Sequence, residues 1–321
     1  MQNNRKKMKI LITGGAGYVG SHLTKYLLKK NYKIDIIDDL SNSKLAVIQY
    51  LKKNKNFGIF YKINIGNKKK LPNILKKNKY DVLIHLAAKI DARESLKKKL
   101  HYKLNNFNYS KYLFNLSRKE KIKKIIFASS AAVYGNLSQK NVSENLICKP
   151  INPYGVYKLK SELYLKSSKD FNYVIFRLFN ICGIEKETMQ FFKKKNSVFF
   201  KIRNSLKERM TFYLNTTNNK TGDNSFERDF IYIKDFCRII EKMLISKKVN
   251  YTVNVGSGTN ISIKKVISKF ETVFKNKMNI IEKKFQGGEP LSVIANNNKL
   301  KTIIKFNKFT GINKIIKEYQ Y

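Results

Sequence analysis

The stretch from Lys9 to Asp39 decides the fold, and it reads K-I-L-I-T-G-G-A-G-Y-V-G-S-H-L-T-K-Y-L-L-K-K-N-Y-K-I-D-I-I-D-D. Residues 10–12 form a short apolar run that stops at glycines, which is typical of a buried parallel strand. From Tyr18 the apolar residues recur at helical spacing, and a second apolar run at 34–37 ends at Asp38. The stretch therefore predicts a strand, a helix and a second strand.

Three glycines between the first strand and the first turn of the helix have G-x-x-G-x-x-G spacing, with the last one inside the helix. Gly14 permits a tight turn, Gly17 lets backbone N–H groups approach a pyrophosphate, and Gly20 lets the helix pack on the sheet. Asp38 follows about 20 residues later, where an acidic side chain can hold an adenosine ribose. The combination predicts a dinucleotide site, and the alternative is a βαβ turn that binds no ligand.

Apolar runs alternate with helical patterns through the rest of the first half, which predicts a parallel, doubly wound sheet with ligands at the carboxyl ends of its strands. The further predicted strands are 58–65, 82–87, 125–129, 173–179 and 252–255. The further predicted helices are 45–51, 71–77, 104–119, 153–168 and 262–274. We expect an α/β protein with a Rossmann-like, NAD-binding domain over residues 1–180. A smaller mixed α/β substrate-binding lobe would cover 181–321, and some segments would interleave.

The formal net charge of +44 by itself suggests a nucleic-acid or anionic-membrane partner. The excess is nearly all lysine and is spread along the whole chain, whereas nucleic-acid readers favour arginine and interleave aromatic residues. The lysine runs at 68–70, 97–99 and 193–195 fit solvated faces. We therefore expect no specific nucleic-acid partner, only nonspecific binding at low salt.

Cys148, Cys182 and Cys237 are odd in number and widely spaced, which is typical of reduced thiols in a cytoplasmic protein. None of the three histidines has metal-ligand spacing, so we expect no metal site. The apolar run behind the basic residues 5–9 is too short for an export signal. No run of about 18 apolar residues occurs, so we expect no membrane span.

Tyr154 and Lys158 stand one helical turn apart on one face of a predicted helix. A nearby ammonium lowers the pKa of a tyrosine from about 10, which makes its phenol a usable acid or base. Ser130 follows a predicted strand end, where its hydroxyl could meet the same substrate oxygen. The alternative is a surface pair worth a few tenths of a kcal/mol. The dinucleotide pattern upstream favours a catalytic Ser–Tyr–Lys set.

Further motifs occur along nearly the whole chain. They are T-G-G-A-G-Y-V-G-S-H at 13–22, D-D-L-S-N-S at 38–43, H-L-A-A at 85–88, E-S at 94–95, N-N at 105–106, S-S-A-A-V-Y-G at 129–135, N-P-Y-G-V-Y-K at 152–158, F-R-L-F-N at 176–180, R-D-F-I-Y at 228–232 and V-N-V-G-S-G at 253–258. Together they resemble the extended short-chain dehydrogenase/reductase family, also called the NAD-dependent epimerase/dehydratase family, and within it most the UDP-glucose 4-epimerases. K-T-G-D-N-S-F-E-R-D at 220–229 resembles an insertion that many relatives lack, and 129–135 lacks the acid pair usual in 4,6-dehydratases.

The resemblance implies redox epimerisation at position 4 of a UDP-hexose by an isomerase with tightly bound NAD. Tyr154 would take the proton of the sugar's fourth hydroxyl while hydride passes to the nicotinamide, and the 4-keto sugar would turn over and take hydride back on its other face. Lys158 would hold the nicotinamide ribose and tune Tyr154, and Ser130 would bridge the reacting oxygen. The resemblance also implies a homodimer formed through the helices that contain Asn106 and Tyr154.

Binding residues are likewise implied by the matched motifs. The implied cofactor-binding residues are Gly14, Gly17, Tyr18, Val19, Gly20, Asp38, Asn42, Ser43, Asn64, Ile65, Ala87, Asn106, Tyr154 and Lys158. The implied substrate-binding residues are Ser130, Tyr154, Asn180, Asn196, Arg228 and Val293. Arg228 would contact the diphosphate, because its charged fork suits phosphate oxygens.

Four positions depart from the family pattern. Asn64 stands where an aspartate usually contacts adenine, which implies a weaker contact, and Leu178 stands where a tyrosine is expected. Gln286 replaces a second diphosphate arginine, a loss of about 1.5–3 kcal/mol of affinity unless a lysine substitutes. Val293 lies near a position where a bulky tyrosine narrows the sugar pocket. A smaller residue there would admit an N-acetyl group, so UDP-GlcNAc and UDP-GalNAc join UDP-glucose and UDP-galactose as expected substrates.

Three alternatives stand beside a UDP-hexose 4-epimerase. One is another nucleotide-sugar epimerase of the same family, acting on a uronic acid or on another nucleotide. A second is a noncatalytic NAD-binding relative, which Gln286 and Leu178 favour and the complete Ser–Tyr–Lys set disfavours. The third is nucleic-acid binding through the lysine excess, which predicts an affinity that collapses with salt.

Overall fold

The computed structural model describes residues 8–136, 141–167, 169–192, 197–216, 223–285 and 292–321. Its strands are β1 (Lys9–Thr13), β2 (Lys33–Ile37), β3 (Phe57–Tyr61), β4 (Val82–His85), β5 (Lys124–Ser130), β6 (Asn141–Val142), β7 (Tyr173–Leu178), β8 (Asn180–Cys182), β9 (Phe212–Thr216), β10 (Glu227–Tyr232), β11 (Tyr251–Val255), β12 (Asn260–Ser262), β13 (Ile280–Lys284) and β14 (Ser292–Ala295).

The α-helices lie between these strands and after them. They are α1 (Tyr18–Lys29), α2 (Leu45–Leu51), α3 (Leu71–Asn78), α4 (Ala92–Lys97), α5 (Lys99–Lys103), α6 (Tyr109–Lys119), α7 (Pro153–Lys166), α8 (Met189–Phe192), α9 (Val198–Glu208), α10 (Ile233–Ile245), α11 (Ile263–Phe274) and α12 (Ile312–Lys317). Leu104–Asn108 and Leu300–Ile304 are π-helical turns, and Ala131–Val133, Lys186–Thr188 and Glu318–Gln320 are 3-10 turns. No helix of the described ranges is long and apolar enough to cross a membrane.

Seven parallel strands form the main sheet in the order β11-β7-β5-β4-β1-β2-β3. The strand order changes direction between β1 and β4. In an open α/β sheet such a switch point leaves a crevice at the carboxyl ends of the strands. This topology confirms the predicted α/β class with a Rossmann-like, doubly wound parallel sheet.

The apolar run at the start of the chain forms the centre of the sheet. Ile10 and Ile12 are fully buried in one hydrophobic cluster with Leu23 and Leu27 of α1, while Leu11 packs in a second cluster with Phe114 of α6. Successive side chains of a strand point to opposite faces, so both faces of β1 are covered. A strand buried on both faces explains why this run is continuously apolar rather than alternating.

A smaller mixed sheet follows the order β12-β10-β14-β6, and β8 also pairs with β10. β10 is parallel to β8 and β14 and antiparallel to β12. A separate two-stranded parallel sheet joins β9 and β13. The segments do interleave, because β11 pairs with β7 in the main sheet and β6 pairs with β14 in the smaller one. A boundary between two units near residue 180 stays a prediction.

Two predicted elements differ from the structure by more than two residues at one end. The strand expected over 58–65 ends at Tyr61, because Asn64 Oδ1 accepts the N–H of Gly66 at 2.8 Å and turns the chain. The helix expected over 104–119 begins earlier, at Lys99, and contains a π-helical turn at Leu104–Asn108. A π turn adds one residue to a single turn, so the spacing on either side of it stays helical and the sequence pattern still reads as one helix.

Candidate active site

The glycine turn after β1 has the close approach that its sequence predicts. Gly14 has a φ of +74°, and its N–H donates to the carbonyl of Ile37 at 2.8 Å. A Cβ on Gly14 would lie 2.7 Å from the backbone nitrogen of Ala87, and a Cβ on Gly20 would lie 2.1 Å from the carbonyl oxygen of Gly14. Both positions therefore require glycine. Gly17 precedes α1, whose first N–H groups have no partner within the helix and suit an anion.

A cleft of about 820 Å³ opens beside this turn, where β1, β2 and β4 end. Of the residues implied to bind the cofactor, those that line it are Gly14, Gly17, Tyr18, Val19, Gly20, Asp38, Asn42, Ser43, Asn64, Ile65 and Ala87. Asn106, Tyr154 and Lys158 are not among its lining residues. Residues that are far apart in the sequence, and that the family motifs implied for the cofactor, therefore line the same cleft.

The carboxylate of Asp38 is anchored at the end of β2. One oxygen accepts the N–H of Ala16 at 3.0 Å, and the other accepts the N–H of Leu40 at 2.9 Å and the hydroxyl of Ser43 at 3.0 Å. Burial raises the pKa of Asp38, while these hydrogen bonds oppose the shift. The glycine turn, the N-terminal N–H groups of α1 and this acid at the neighbouring strand end fit a dinucleotide with its diphosphate at the helix and a ribose at Asp38.

Asn64 belongs to the same wall, but its amide is engaged inside the protein. Its Nδ2 donates to Asp39 Oδ2 at 2.8 Å, and its Oδ1 accepts from Gly66. Partial burial works against ionisation of Asp39, but hydrogen bonds from Ser41 and Asn64 outweigh it and lower the pKa of that carboxyl. Asp39 is a charged cleft residue that the sequence reasoning missed, although the D-D pair pointed to it.

Other cleft residues also escaped the sequence reasoning: Ser41, Lys44, Lys89, Asp91, Glu94, Tyr102, Asn105, Phe191 and Phe192. Phe191 and Phe192 come from α8, which lies outside the motifs of the sequence, so no local pattern could assign them. Glu94 is different, because it belongs to the E-S motif. Its Oε2 accepts a hydrogen bond from the hydroxyl of Tyr102 at 2.9 Å, and this bond joins α4 to α5 beside the cleft.

Asn106 lies behind the cleft wall. Its side chain is buried, donates to the carbonyl of Lys89 at 2.8 Å and accepts the N–H of Lys89 at 2.9 Å. Its own carbonyl, within the π-helical turn, accepts the hydroxyl of Ser161 from α7 at 2.8 Å. Asn106 therefore supports both the loop after β4 and the helix that carries Tyr154.

Helix α7 begins as its sequence predicts. Asn152 is the N-cap, and its Oδ1 accepts the N–H of Gly155 at 2.9 Å. The N–H of Tyr154 donates to Ser95 Oγ at 3.2 Å, and Ser95 follows the cleft residue Glu94 in α4. This contact places the start of α7 next to the cleft.

Ser130 ends β5 and meets Tyr154. Burial raises the pKa of Tyr154, and a hydrogen bond with Ser130 opposes that rise. The sequence predicted a lowered pKa of Tyr154 through the neighbouring Lys158, and this direction was wrong. The physical reason is burial, which is the largest cause of the raised pKa. The ammonium of Lys158 does not offset it, because its Nζ donates to the carbonyl oxygen of Ala128.

Lys158 is buried and its Nζ donates to the carbonyl oxygen of Ala128 at 2.7 Å. The ammonium also lies 4.9 Å from the ring centroid of Phe127. Burial lowers the pKa of Lys158 to about 7, with Glu162 opposing. His85 lies close by, and its pKa falls well below the usual value through burial and the charge of Lys158.

A buried ion pair lies one turn further along α7. Glu162 is fully buried and takes hydrogen bonds from Arg177 Nη2 at 2.8 Å and from Arg177 Nε at 3.1 Å. The hydroxyl of Ser129 also donates to Glu162. This pair fastens α7 to β5 and β7, the strands beneath the Ser130–Tyr154 contact.

The residues implied to bind substrate gather around β10. Arg228 is the register partner of Val293 in the parallel pair β10–β14, and Asn180 Nδ2 donates to the carbonyl of Asp229 at 3.3 Å. The guanidinium of Arg228 lies 4.7 Å from the ring centroid of Phe226. Val293 is 8% exposed and packs in a cluster with Phe179.

Several predicted positions lie outside the described residues. These are Asn196, Gln286 and residues 220–222 of the expected insertion. Within the described ranges, no three histidine, cysteine, aspartate or glutamate side chains are grouped as a metal site would need.

Comparison with known proteins identifies the family of this chain. The model of the NAD dependent epimerase/dehydratase family matches residues 10–256. A UDP-glucose 4-epimerase of Rhizobium meliloti is 29% identical over 314 residues, which are 95% of this chain and 92% of that protein.

Solved structures are similar over nearly the whole chain. The UDP-glucuronic acid 4-epimerase of Bacillus cereus, in complex with UDP-glucuronic acid and NAD, is 30% identical with a TM-score of 0.86 and covers 98% of both chains. The UDP-N-acetylglucosamine 4-epimerase of Methanobrevibacter ruminantium is 28% identical with a TM-score of 0.86 and covers 98% of this chain and 97% of that one. The chain therefore belongs to the NAD-dependent epimerase/dehydratase family, among relatives that are UDP-sugar 4-epimerases.

Proposed function

We propose that the protein is a UDP-sugar 4-epimerase that keeps NAD bound and inverts the sugar through a transient 4-keto form. The observation that carries the proposal is the position of Tyr154 beside the cleft. Its N–H donates to Ser95 Oγ at 3.2 Å, and Ser95 is the sequence neighbour of Glu94, which lines the cleft. An acid–base pair beside a dinucleotide cleft suits removal of a proton and a hydride from one carbinol.

The cleft residues fit the adenosine and diphosphate half of NAD. The N–H groups at the start of α1 would take the diphosphate, and Asp38 would take a ribose, since its carboxylate is held in place by three donors. When bound, NAD would accept a hydride from carbon 4 of the sugar and return it. The chain itself supplies binding, orientation and proton transfer.

Tyr154 would act as the base and then as the acid. Its buried phenol resists ionisation alone, because burial raises its pKa. Ser130 opposes that rise in the pKa of Tyr154. Its hydroxyl would also donate to the sugar's fourth oxygen, which gives up the proton. Each half-reaction would move one proton between Tyr154 and the sugar's fourth oxygen, so Tyr154 returns to its starting form after a full turnover.

Lys158 would orient the nicotinamide ribose and favour the ionised Tyr154. Its Nζ donates a hydrogen bond to the carbonyl of Ala128, which lies near the end of β5 and two residues before Ser130. A pKa of about 7 lets the amine change its protonation state near neutral pH. With ligands bound, the positive charge of Lys158 would therefore stabilise the phenolate of Tyr154.

For the sugar, we propose UDP-glucose and UDP-galactose first, with UDP-GlcNAc and UDP-GalNAc as further substrates. Support for the wider range comes from Val293, whose small side chain lies beside the register partner Arg228. The relatives point the same way, since one is an epimerase of UDP-N-acetylglucosamine and another of UDP-glucose. The relative that binds UDP-glucuronic acid makes a uronic acid the second candidate.

We also propose a homodimer that pairs through α5, the π-helical turn and α7. Three leucines on these adjacent elements are exposed: Leu100 at 80%, Leu104 at 41% and Leu163 at 55%. Pairing would bury them. Light scattering at twice the monomer mass supports the proposal, and a monomer at micromolar concentration contradicts it.

We propose a cytoplasmic location because the cysteines form no disulfide. Cys148, Cys182 and Cys237 are all free thiols, and the last two are buried. Free, unpaired cysteines are typical of reducing compartments.

The testing experiment follows the purified protein by NMR with UDP-glucose, UDP-galactose and both UDP-N-acetylhexosamines, without added NAD. UDP-glucuronic acid is a parallel arm. Interconversion of any pair at carbon 4 supports the proposal and identifies the sugar. No turnover in any arm, even with NAD supplied, contradicts it and favours another nucleotide or a noncatalytic relative.

A further inference from the structure

The buried carboxylate of Asp229 has an unusual set of partners. Asp229 has no exposed surface, and its two oxygens accept four hydrogen bonds from two other segments. Oδ1 accepts from the N–H of Ser257 at 2.8 Å and from its hydroxyl at 2.6 Å. Oδ2 accepts from the N–H of Gly258 and the N–H of Ala295, each at 3.0 Å.

Asp229 and one of its donors lie close in sequence to residues of the proposed substrate site. Asp229 follows Arg228 directly on β10. Ala295 lies two residues after Val293 on β14, and the backbone carbonyl of Asp229 accepts the amide of Asn180. One residue therefore joins Arg228, Val293 and Asn180, which come from three separate parts of the chain.

The packing around the carboxylate leaves little freedom. A Cβ added to Gly256 would lie 2.6 Å from Asp229 Oδ2 and 2.6 Å from the Cβ of Ala295, so the turn after β11 approaches β10 as closely as glycine allows. Asn297 donates to the carbonyl of Ser257 at 2.9 Å and closes the same turn from the other side. The turn and β14 thus keep their places only while Asp229 accepts their N–H groups.

We propose that Asp229 is a positioning residue for the nucleotide-sugar subsite, which holds the turn at 256–258 and strand β14 against the strand that presents Arg228. The inference rests on the proposed function, since it assumes that Arg228, Asn180 and Val293 face the UDP-sugar. Asp229 itself, being fully enclosed by donors, does not touch the substrate.

The test compares Asp229→Asn with a matched control. Asparagine keeps the shape but turns an NH₂ group toward N–H donors, so at least one backbone hydrogen bond must break. Asp235→Asn is the control, because Asp235 is equally buried and ties α10 to Thr310 with hydrogen bonds of 2.6 and 3.0 Å. Calorimetry with UDP, bound-NAD content, kcat and KM, and thermal midpoints are measured for the wild type and both variants.

We expect Asp229→Asn to raise the Kd for UDP and the KM for the UDP-sugar by about tenfold or more, with kcat and bound NAD close to the wild type. Asp235→Asn should leave the Kd for UDP unchanged even if it lowers the thermal midpoint. Equal Kd values for Asp229→Asn and the wild type, or parallel losses of UDP affinity in both variants, would overturn the inference.

A second variant covers the case in which Asp229→Asn does not fold. Ser257→Ala removes one donor to Asp229 and leaves the carboxylate in place, so it should raise the Kd for UDP by a smaller factor, about threefold. An unchanged Kd in that variant overturns the inference. A wild type that turns over no UDP-sugar and binds no UDP is a separate result, which contradicts the proposed function and the inference together.

Discussion

The Nζ atom of Lys158 lies 2.7 Å from the carbonyl oxygen of Ala128 and so points into the end of β5. The lysine is one helical turn from Tyr154, as the sequence predicts, yet its charge is directed at the strand beneath the site. The ammonium of Lys158 is therefore bound to the backbone and not to the phenol of Tyr154. A ligand that binds Lys158 would have to replace the carbonyl of Ala128 as its partner.

Tyr154→Phe should remove turnover while the fold and the bound NAD remain. Only a hydroxyl is lost, and general acid–base groups contribute about 10²- to 10⁴-fold to rate. The check is NMR-followed turnover together with NAD released on denaturation. Tyr157→Phe, on the same helix, is the control and should keep its activity. Full activity in Tyr154→Phe would remove the acid–base assignment.

Lys158→Met should change how stability depends on pH. The pKa of Lys158 is lowered to about 7 in the fold, against about 10.4 in an unfolded chain, so between these values the unfolded state binds more protons. Stability therefore rises with pH across this window, by up to about 1.4 kcal/mol per pH unit from this one group.

Urea unfolding of the nucleotide-free protein at pH 7 and pH 9 measures this slope. The difference between wild type and Lys158→Met isolates Lys158 from the other lysines, which both proteins share. The wild type should gain more stability than the variant on going to pH 9. A variant with the same slope as the wild type would show that the amine titrates normally in the fold.

Gly14→Ala should abolish NAD binding and lower stability. Its φ of +74° strains any other residue, and the new Cβ would lie 2.7 Å from the backbone of Ala87, which lines the cleft. Gly311→Ala is the matched control, because nothing lies within 4 Å of the position where its Cβ would stand. It should shift stability by no more than about 1 kcal/mol. Normal NAD content in Gly14→Ala would disprove the role of this turn.

Breaking the buried pair of Glu162 and Arg177 should be costly. Glu162→Ala leaves a buried guanidinium without its carboxylate, which typically costs about 3–5 kcal/mol. Denaturant unfolding measures the loss. Asp170→Asn serves as the comparison, because Asp170 pairs with Arg118 at the surface, where such pairs are worth about 0–1 kcal/mol. Similar small losses in both variants would mean that the buried pair contributes little.

Much of the fold was accessible from the sequence because its causes are local. The run at 10–12, the glycine spacing and the acid at Asp38 each report a short-range requirement of a βαβ unit, and the structure has the elements they predict. The N-cap Asn152 is equally local, since its side chain bonds three residues ahead.

What the sequence missed depends on contacts between distant segments. The sequence around Asp229 does not predict its four hydrogen bonds, because the donors belong to residues 257, 258 and 295. Phe191 and Phe192 line the cleft only because α8 folds back over it. The direction of the Tyr154 pKa was wrong for the same reason, since burial is a property of the assembled fold.

The most direct test of the central claim uses UDP-galactose with deuterium at carbon 4 of the sugar, incubated with the wild-type protein in ordinary water and followed by NMR. Hydride taken from carbon 4 and returned to the same atom predicts UDP-glucose that keeps the deuterium at carbon 4. Product with hydrogen at that carbon would show exchange with solvent, and it would contradict a 4-keto route in which only the proton at Tyr154 is exchangeable.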